Sequence, residues 1–414
     1  MIEWGDMKDW WVWLWVAVLL PPFSLGGINS TWLVELGVVI GGVWLGWKKK
    51  DELGEFLSQK TVWWFLGWVA IISLSGAGVL YWPSFWKMWG KWMIGLVWLW
   101  IVMTTYRQGR ERQVWWGLII VLWLKLVLEV GLYQDWFKSF EFRFLDTKLI
   151  NSIKANLLRE RTIISFFNEP LALGSWWLIA KKNRRWRWWG WLSLLGSGVV
   201  VFMSNWRGRM IVWLMVLLGG IGWWGDKKQM KKWLAGIVIA GLIFGGLDRL
   251  MLISRGYSVL DRLRNEDKVE DKSTLKWRKK AFGEAREMAS YTWFGVGMGQ
   301  FYNFTDLKNR LGFQLIRLDD ASKYGPHNIF FQFLAETGWL GWIWLVLGLS
   351  WFSWWDSSHW KIYNSDLKLL AGVFWLTVAV VQFYPAISWE FVALFFGLRG
   401  VLFKGAKLGD GKVD

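Results

Sequence analysis

Cysteine is absent from all 414 residues, which excludes disulfides, thiolate nucleophiles and Cys-ligated metals. Histidine is nearly absent too, with His327 and His359 the only two. Asp319 and Asp320 are adjacent, point apart in most conformations and make a poor metal pair. No glycine-rich phosphate cradle with a lysine appears, so no nucleotide-binding loop is expected. There is no internal repeat or low-complexity tract, and no cleavable signal. The first apolar run starts near Trp10, after Lys8, and reads as an anchor that stays.

What the chain does have is apolar length. Hydrophobic residues make up 54%, and mean hydropathy is +0.26. Runs of about 17–25 apolar residues recur, the length that crosses a bilayer as a helix. The 43 tryptophans gather at the ends of many of these runs, where indoles favour the membrane–water interface. About twelve spans are expected, near residues 10–25, 28–47, 61–82, 88–106, 114–133, 164–180, 188–206, 209–225, 233–253, 328–352, 367–384 and 386–403.

The net charge of +17 could be read as nucleic-acid binding, but the basic residues fall in short connectors. These are Lys48, Lys49, Lys50 and Lys60; Arg107, Arg110 and Arg112; Lys181, Lys182, Arg184, Arg185 and Arg187; and Lys227, Lys228, Lys231 and Lys232. With alternating spans all four lie on one side, together with both termini. The positive-inside bias makes that side cytoplasmic, and no nucleic-acid partner is implied. The outer side receives two long connectors, 134–162 and 254–326. The second, roughly 70 residues, suits a small helical cap rather than an independent domain. The expected fold is thus an all-α integral membrane protein with a large helical outer loop between spans nine and ten. It divides into residues 1–253 (nine spans), 254–327 (outer loop) and 328–414 (three spans and a cytoplasmic tail).

Four places can carry chemistry. His327 and Asn328 follow Pro326, a natural helix edge, and so stand at the outer mouth of span ten. There a neutral imidazole can accept a proton, although a lone histidine can equally be structural. Residues 273–289 form an amphipathic helix: Lys276, Lys279, Lys280, Glu284, Arg286 and Glu287 on one half, Leu275, Trp277, Ala281, Phe282, Ala285, Met288 and Ala289 on the other. Arg278 lies in the middle of the apolar half. It needs an anionic partner or polar cavity there, or it snorkels to water or a headgroup. Arg207 and Arg209 occupy an outward turn, Ser204-Asn-Trp-Arg-Gly-Arg209, against the charge bias. They read as phosphate ligands or as ordinary interfacial arginines. Glu169, in Phe167-Asn-Glu-Pro170, is a carboxylate beside hydrocarbon, or a cap ahead of Pro170. His359 falls on the cytoplasmic side and reads as a surface residue.

His327-Asn328, nine residues, then Gly338-Trp-Leu-Gly341 resembles the signature of the O-antigen ligase and polymerase superfamily, integral membrane enzymes acting on lipid-linked glycans. The likeness extends to Arg207-Gly208, to Arg278 with Phe282 four positions on (often leucine in the family), and to Gly295, Gly297 and Gly299. It runs from about Phe166 to Gly341; the first five spans match in hydropathy only. Asn168-Glu-Pro170 departs from the Asn-Pro-Asn often found there, leaving ligase against polymerase open. The resemblance implies a glycan on undecaprenyl pyrophosphate as donor and a lipid core sugar, the growing glycan or a protein hydroxyl as acceptor. It implies His327 as general base and Arg278 and Arg207 as the pyrophosphate-holding catalytic residues. Asn328, Arg209, Glu169, Gly338 and Gly341 are the candidate substrate-binding residues. No cofactor is implied, because the donor is already activated and cationic side chains replace a metal. Outside the enzyme class, so many spans also suit a polysaccharide transporter or flippase. The outward clustering of charge and the absence of a two-fold hydropathy repeat speak against that.

Overall fold

The computed structural model describes residues 9–20, 24–25, 28–79, 82–133, 167–181, 183–203, 207–224, 279, 281–290, 293–301, 328–383 and 388–409. These are helical almost throughout. The exception is a two-residue antiparallel pair, Ser24–Leu25 against Ile28–Asn29. Three helical stretches combine the length and hydropathy to cross a bilayer: Lys60–Gly78, Glu111–Val130 and Ile329–His359. Most of the other described helices fall in the segments read as spans without reaching both criteria, while those at Lys50–Ser58 and 281–290 lie in connectors. The expected ninth span, 233–253, and the connector 134–162 lie outside the described residues.

The chain forms two units, Met1–Val34 with Arg110–Lys268, and Glu35–Gly109 with Val269–Asp414. In the first, α6 (Glu111–Tyr133), α8 (Arg184–Met203) and α9 (Arg207–Trp224) pack on α7 (Asn168–Ile179), and α1 (Trp10–Val18) packs on α6. All of α7 is buried, in keeping with a stretch that is apolar from Leu171 apart from Ser175. Gly117 lets α6 approach Trp15 of α1, where a Cβ would stand 2.6 Å from the tryptophan Cβ. Asp9 caps α1 by accepting from Trp11 N and also accepts from Gln113 Nε2. Span one was expected to reach residue 25, but α1 closes at Val18. Pro21 and Pro22, which cannot donate to a helix, follow closely.

The second unit holds most of α2 (Ser30–Lys48), then α3 (Lys50–Ser58), α4 (Lys60–Leu74) with a 3₁₀ turn at Ser75–Gly78, and α5 (Trp82–Thr105). After these come α10 (residues 281–290), α11 (Ile329–His359), α12 (Ser365–Val380) and α13 (Trp389–Gly409). α3 is the short polar helix that the first basic connector becomes, with Lys49 paired to Glu52. The core is aromatic: Phe65, Trp68, Trp92, Phe333, Phe352 and Phe396 meet ring to ring at 4.7–5.7 Å. Tryptophan thus serves packing as well as interfaces, with Trp68 and Trp92 buried and Trp47 and Trp63 exposed.

α11 and α13 are pinned together by a buried ion pair that the sequence reading passed over. Arg399 of α13 grips Asp356 of α11 with two bonds, 2.8 and 2.5 Å. Asp356 also accepts from Tyr363 Oη and Trp375 Nε1, while the guanidinium lies 3.8 Å from the Phe374 ring centre. Removing one partner strands a buried charge, so Asp356→Ala is expected to lower stability by about 3–5 kcal/mol. Asp356→Leu combined with Arg399→Met should recover most of that loss. Thermal unfolding of detergent-solubilised variants checks both. His359, expected at the surface, ends α11 half-buried and stacks on Trp355 at 4.1 Å between ring centres.

Candidate functional site

α11 begins at Ile329 because Asn328 caps it. Asn328 is extended (φ −156°, ψ 120°), and its Oδ1 accepts from Phe330 N at 2.9 Å and Phe331 N at 3.2 Å. The carbonyl oxygen is therefore committed to the helix. His327, one residue before this cap, and Arg278 lie outside the described residues, as does the side chain of Arg207.

The helices that follow Arg278 and His327 pack together. Ala281, Ala285 and Met288 of α10 bury against Val296, Phe301 and Ala335, with Phe331 alongside. Phe282 stacks on Phe331, ring centres 4.3 Å apart. Lys279 and Arg286 are exposed while Ala281, Ala285, Met288 and Ala289 are buried, so over these residues the amphipathic reading of this helix holds.

A backbone strap, residues 293–301, ties α10 to α11. Its position follows from a break in α11 at Gly338, which has φ 65° and ψ −167°, a conformation open essentially to glycine. Such a break frees helix carbonyls and an N–H in the middle of an apolar segment, where each must find a partner. The strap supplies them. Val296 N donates to Ala335 O at 2.9 Å, Gly297 N to Glu336 O at 3.0 Å, and Leu340 N to Trp293 O at 3.4 Å. Gly295, Gly297 and Gly299 all have positive φ. At Gly295 a Cβ would stand 2.5 Å from Gly338 N, so the two segments touch backbone to backbone. On its other side the strap rests on the turn after α4 and the start of α5. Met298 N donates to Ser75 Oγ (3.2 Å), and Ser84 Oγ donates to Gly299 O (2.8 Å).

Glu336, fully buried and one turn before Trp339 and Leu340, completes the joint. Its carboxylate accepts from Phe301 N at 3.2 Å, from the backbone N–H of Gly299, and from Gln332 Nε2 at 3.4 Å. Nothing in the sequence reading singled it out; a carboxylate inside an apolar helix was the available signal. Gly341, read as a substrate-binding residue, is buried against the Thr337 side chain, and Gly338 forms the break itself.

The first unit carries its own buried charges. Phe167, the residue before α7, adopts φ 60°, ψ 20°, a left-handed conformation rare for a bulky side chain. It introduces Asn168 and Glu169 in the first turn, where Pro170 sits without cost. Glu169 forms an ion pair with Arg209 of α9, and both are buried. Asn168 Nδ2 donates to Glu129 Oε2 of α6 at 2.9 Å, and Glu129 lies within electrostatic reach of Lys125, Glu169 and Arg209. The structure thus joins Glu169 and Arg209 and adds Lys125 and Glu129, charges inside the apolar run 114–133. Among the described residues, no group of three or more His, Asp or Glu side chains is placed to hold a metal ion.

Residues 149–346 match the family model for O-antigen ligase. Across this segment the chain is similar to the O-antigen ligase superfamily. No curated protein matches it. The O-antigen ligase segment takes in Glu169, Arg209, α10, the strap, Asn328 and the break at Gly338. The Asp356–Arg399 pin lies beyond it. Apolar helices together with this match support a membrane protein of the ligase or polymerase type of glycosyltransferase.

Proposed function

We propose that the chain transfers a glycan from undecaprenyl pyrophosphate to an acceptor hydroxyl, a lipid core sugar, at the outer face of the cytoplasmic membrane. The observation that supports this reading is the packing of α10 on α11, which draws together the helices that follow Arg278 and His327. His327 takes the proton of the acceptor hydroxyl as its oxygen attacks the anomeric carbon. The bond from that carbon to the pyrophosphate breaks, and undecaprenyl pyrophosphate leaves with the electron pair. Arg278 and Arg207 hold the leaving group, since guanidinium binds phosphate oxygens bidentately and stays charged. Asn328 holds the start of α11 and offers its amide to an acceptor hydroxyl or to the imidazole. Arg209 is charge-compensated by Glu169, so in this reading the pair shapes the site around Arg207. No nucleotide or metal takes part.

The test is transfer by purified protein in nanodiscs, given lipid-linked glycan and an acceptor glycolipid, without ATP or added metal. Arg278→Lys keeps the charge but loses the planar fork and should reduce transfer by ~10²-fold or more, with the protein still folded. Arg286→Lys, on the exposed face of α10, should be nearly silent. Equal effects from the two substitutions would remove Arg278 from the mechanism. A ladder of longer glycans formed without the glycolipid would identify the acceptor as the growing chain, a polymerase. Absence of any glycan transfer, with alternating access of the donor, would replace the reading with transport.

A further inference from the structure

We propose that Glu336 is a positioning residue for transfer: it fastens the far end of the glycine strap to α11 and so fixes α10, and the Arg278 that precedes it, against the helix that follows His327. The proposal rests on the functional reading above for its kinetic consequence, but its structural part stands without it.

The geometry assigns the role. The strap meets α11 through two kinds of bond. Near Gly295, Val296 N and Gly297 N reach the backbone carbonyls of residues 335 and 336, which the break at Gly338 releases whatever side chain stands at 336. Farther on, the Glu336 carboxylate accepts from the N–H groups of Phe301 and Gly299. Phe301 also belongs to the apolar cluster that seats α10 on α11. Loosening the strap at Phe301 therefore loosens the seat of α10.

The residue type bears on this. A carboxylate wholly removed from water is costly, and among the described residues no basic side chain forms an ion pair with Glu336. An apolar side chain would fill the same volume without that cost, yet would leave buried strap N–H groups unmet. What the site requires is an acceptor at this reach from the helix axis. Gln332, one turn earlier, orients the second carboxylate oxygen and leaves the first for Phe301.

Three substitutions separate acceptor from charge. Glu336→Ala removes the acceptor, Glu336→Asp keeps the charge but shortens the reach by one methylene, and Glu336→Gln keeps the reach and one carbonyl oxygen without charge. Expected are a fall in kcat of roughly ten-fold or more for alanine and aspartate with the donor KM nearly unchanged, and recovery of most of the rate with glutamine. A displacement of about 1 Å near reacting groups has effects of this size or larger.

A second readout does not depend on transfer. In this cysteine-free chain, spin labels at Arg286→Cys on α10 and Trp354→Cys on α11, both exposed, report the spread of distances between the two helices. The spread should be narrow when position 336 carries the native glutamate or the Glu336→Gln substitution, and broad for the alanine and aspartate substitutions. If wild-type protein transfers no glycan, the functional reading fails while the spin-label comparison still decides the strap's role. The positioning role is overturned if alanine leaves the spread unchanged, or if aspartate is fully active while glutamine is inactive. The first outcome would mean the strap holds without Glu336. The second would mean that Glu336 acts through its charge. Should the alanine variant not fold, the aspartate and glutamine pair carries the same decision.

Discussion

His327→Gln is expected to lower glycan transfer by ~10²–10⁴-fold, the usual contribution of a positioned proton acceptor. Glutamine retains hydrogen bonding but has no basic nitrogen, so it should be as inactive as His327→Ala. Binding of undecaprenyl pyrophosphate should survive in both, because that task falls to Arg278 and Arg207. The cap at Asn328 makes the comparison clean: it fixes where α11 starts through its own side chain, so a change at residue 327 leaves the helix intact. In the wild type, rate should drop as pH falls through the range in which imidazole takes up a proton, since imidazolium cannot accept another. Transfer by each variant across pH, with donor binding followed separately, makes the measurement. Near-normal turnover by His327→Gln would make the histidine structural. Glu169 is a poor replacement base, because the carboxylate is buried in an ion pair with Arg209.

What could be read from the sequence was what a single element encodes. The apolar half of α10 is visible from a 3.6-residue period, and its described residues are buried and exposed accordingly. Asn328 before an apolar run is a helix start, and it does cap α11. The span segments with described residues are helical apart from the short pair at 24–25 and 28–29, because apolar length is local information. What escaped is pairwise and distant. Glu336 meets Phe301 across 35 positions, Arg209 meets Glu169 across 40, and Arg399 meets Asp356 across 43. A pattern along one helix shows a charge in an apolar run but not what it faces. The glycines illustrate the same limit. Gly338 was read as part of a substrate-binding motif, whereas its conformation makes it the break that receives the strap.

Gly338→Ala should therefore cost more than an ordinary helix substitution, and for a reason opposite to helix propensity. Alanine is the better helix former, and at most helical positions it would stabilise. Here φ is 65° and ψ −167°, which costs a residue with a Cβ about 1–3 kcal/mol, and the added methyl would run into the carbonyl oxygen of Trp293. That oxygen belongs to backbone already bonded to Leu340 N, so it cannot swing aside as a side-chain tip would. The cheaper response is for α11 to straighten. Ala335 O and Glu336 O would then bond within the helix, and Val296 N and Gly297 N would lose their partners. Expulsion of the strap should expose Val296, now buried at 4%. A cysteine placed there by Val296→Cys should be shielded from a maleimide with Gly338 present and should react once alanine replaces it. The chain has no cysteine of its own, so the labelling has no background. Transfer should fall by ~10²-fold or more, as α10 loses its anchor beside α11. A shielded cysteine together with wild-type transfer in the Gly338→Ala protein would show that the strap tolerates a continuous helix, and that the break at Gly338 is not what holds it.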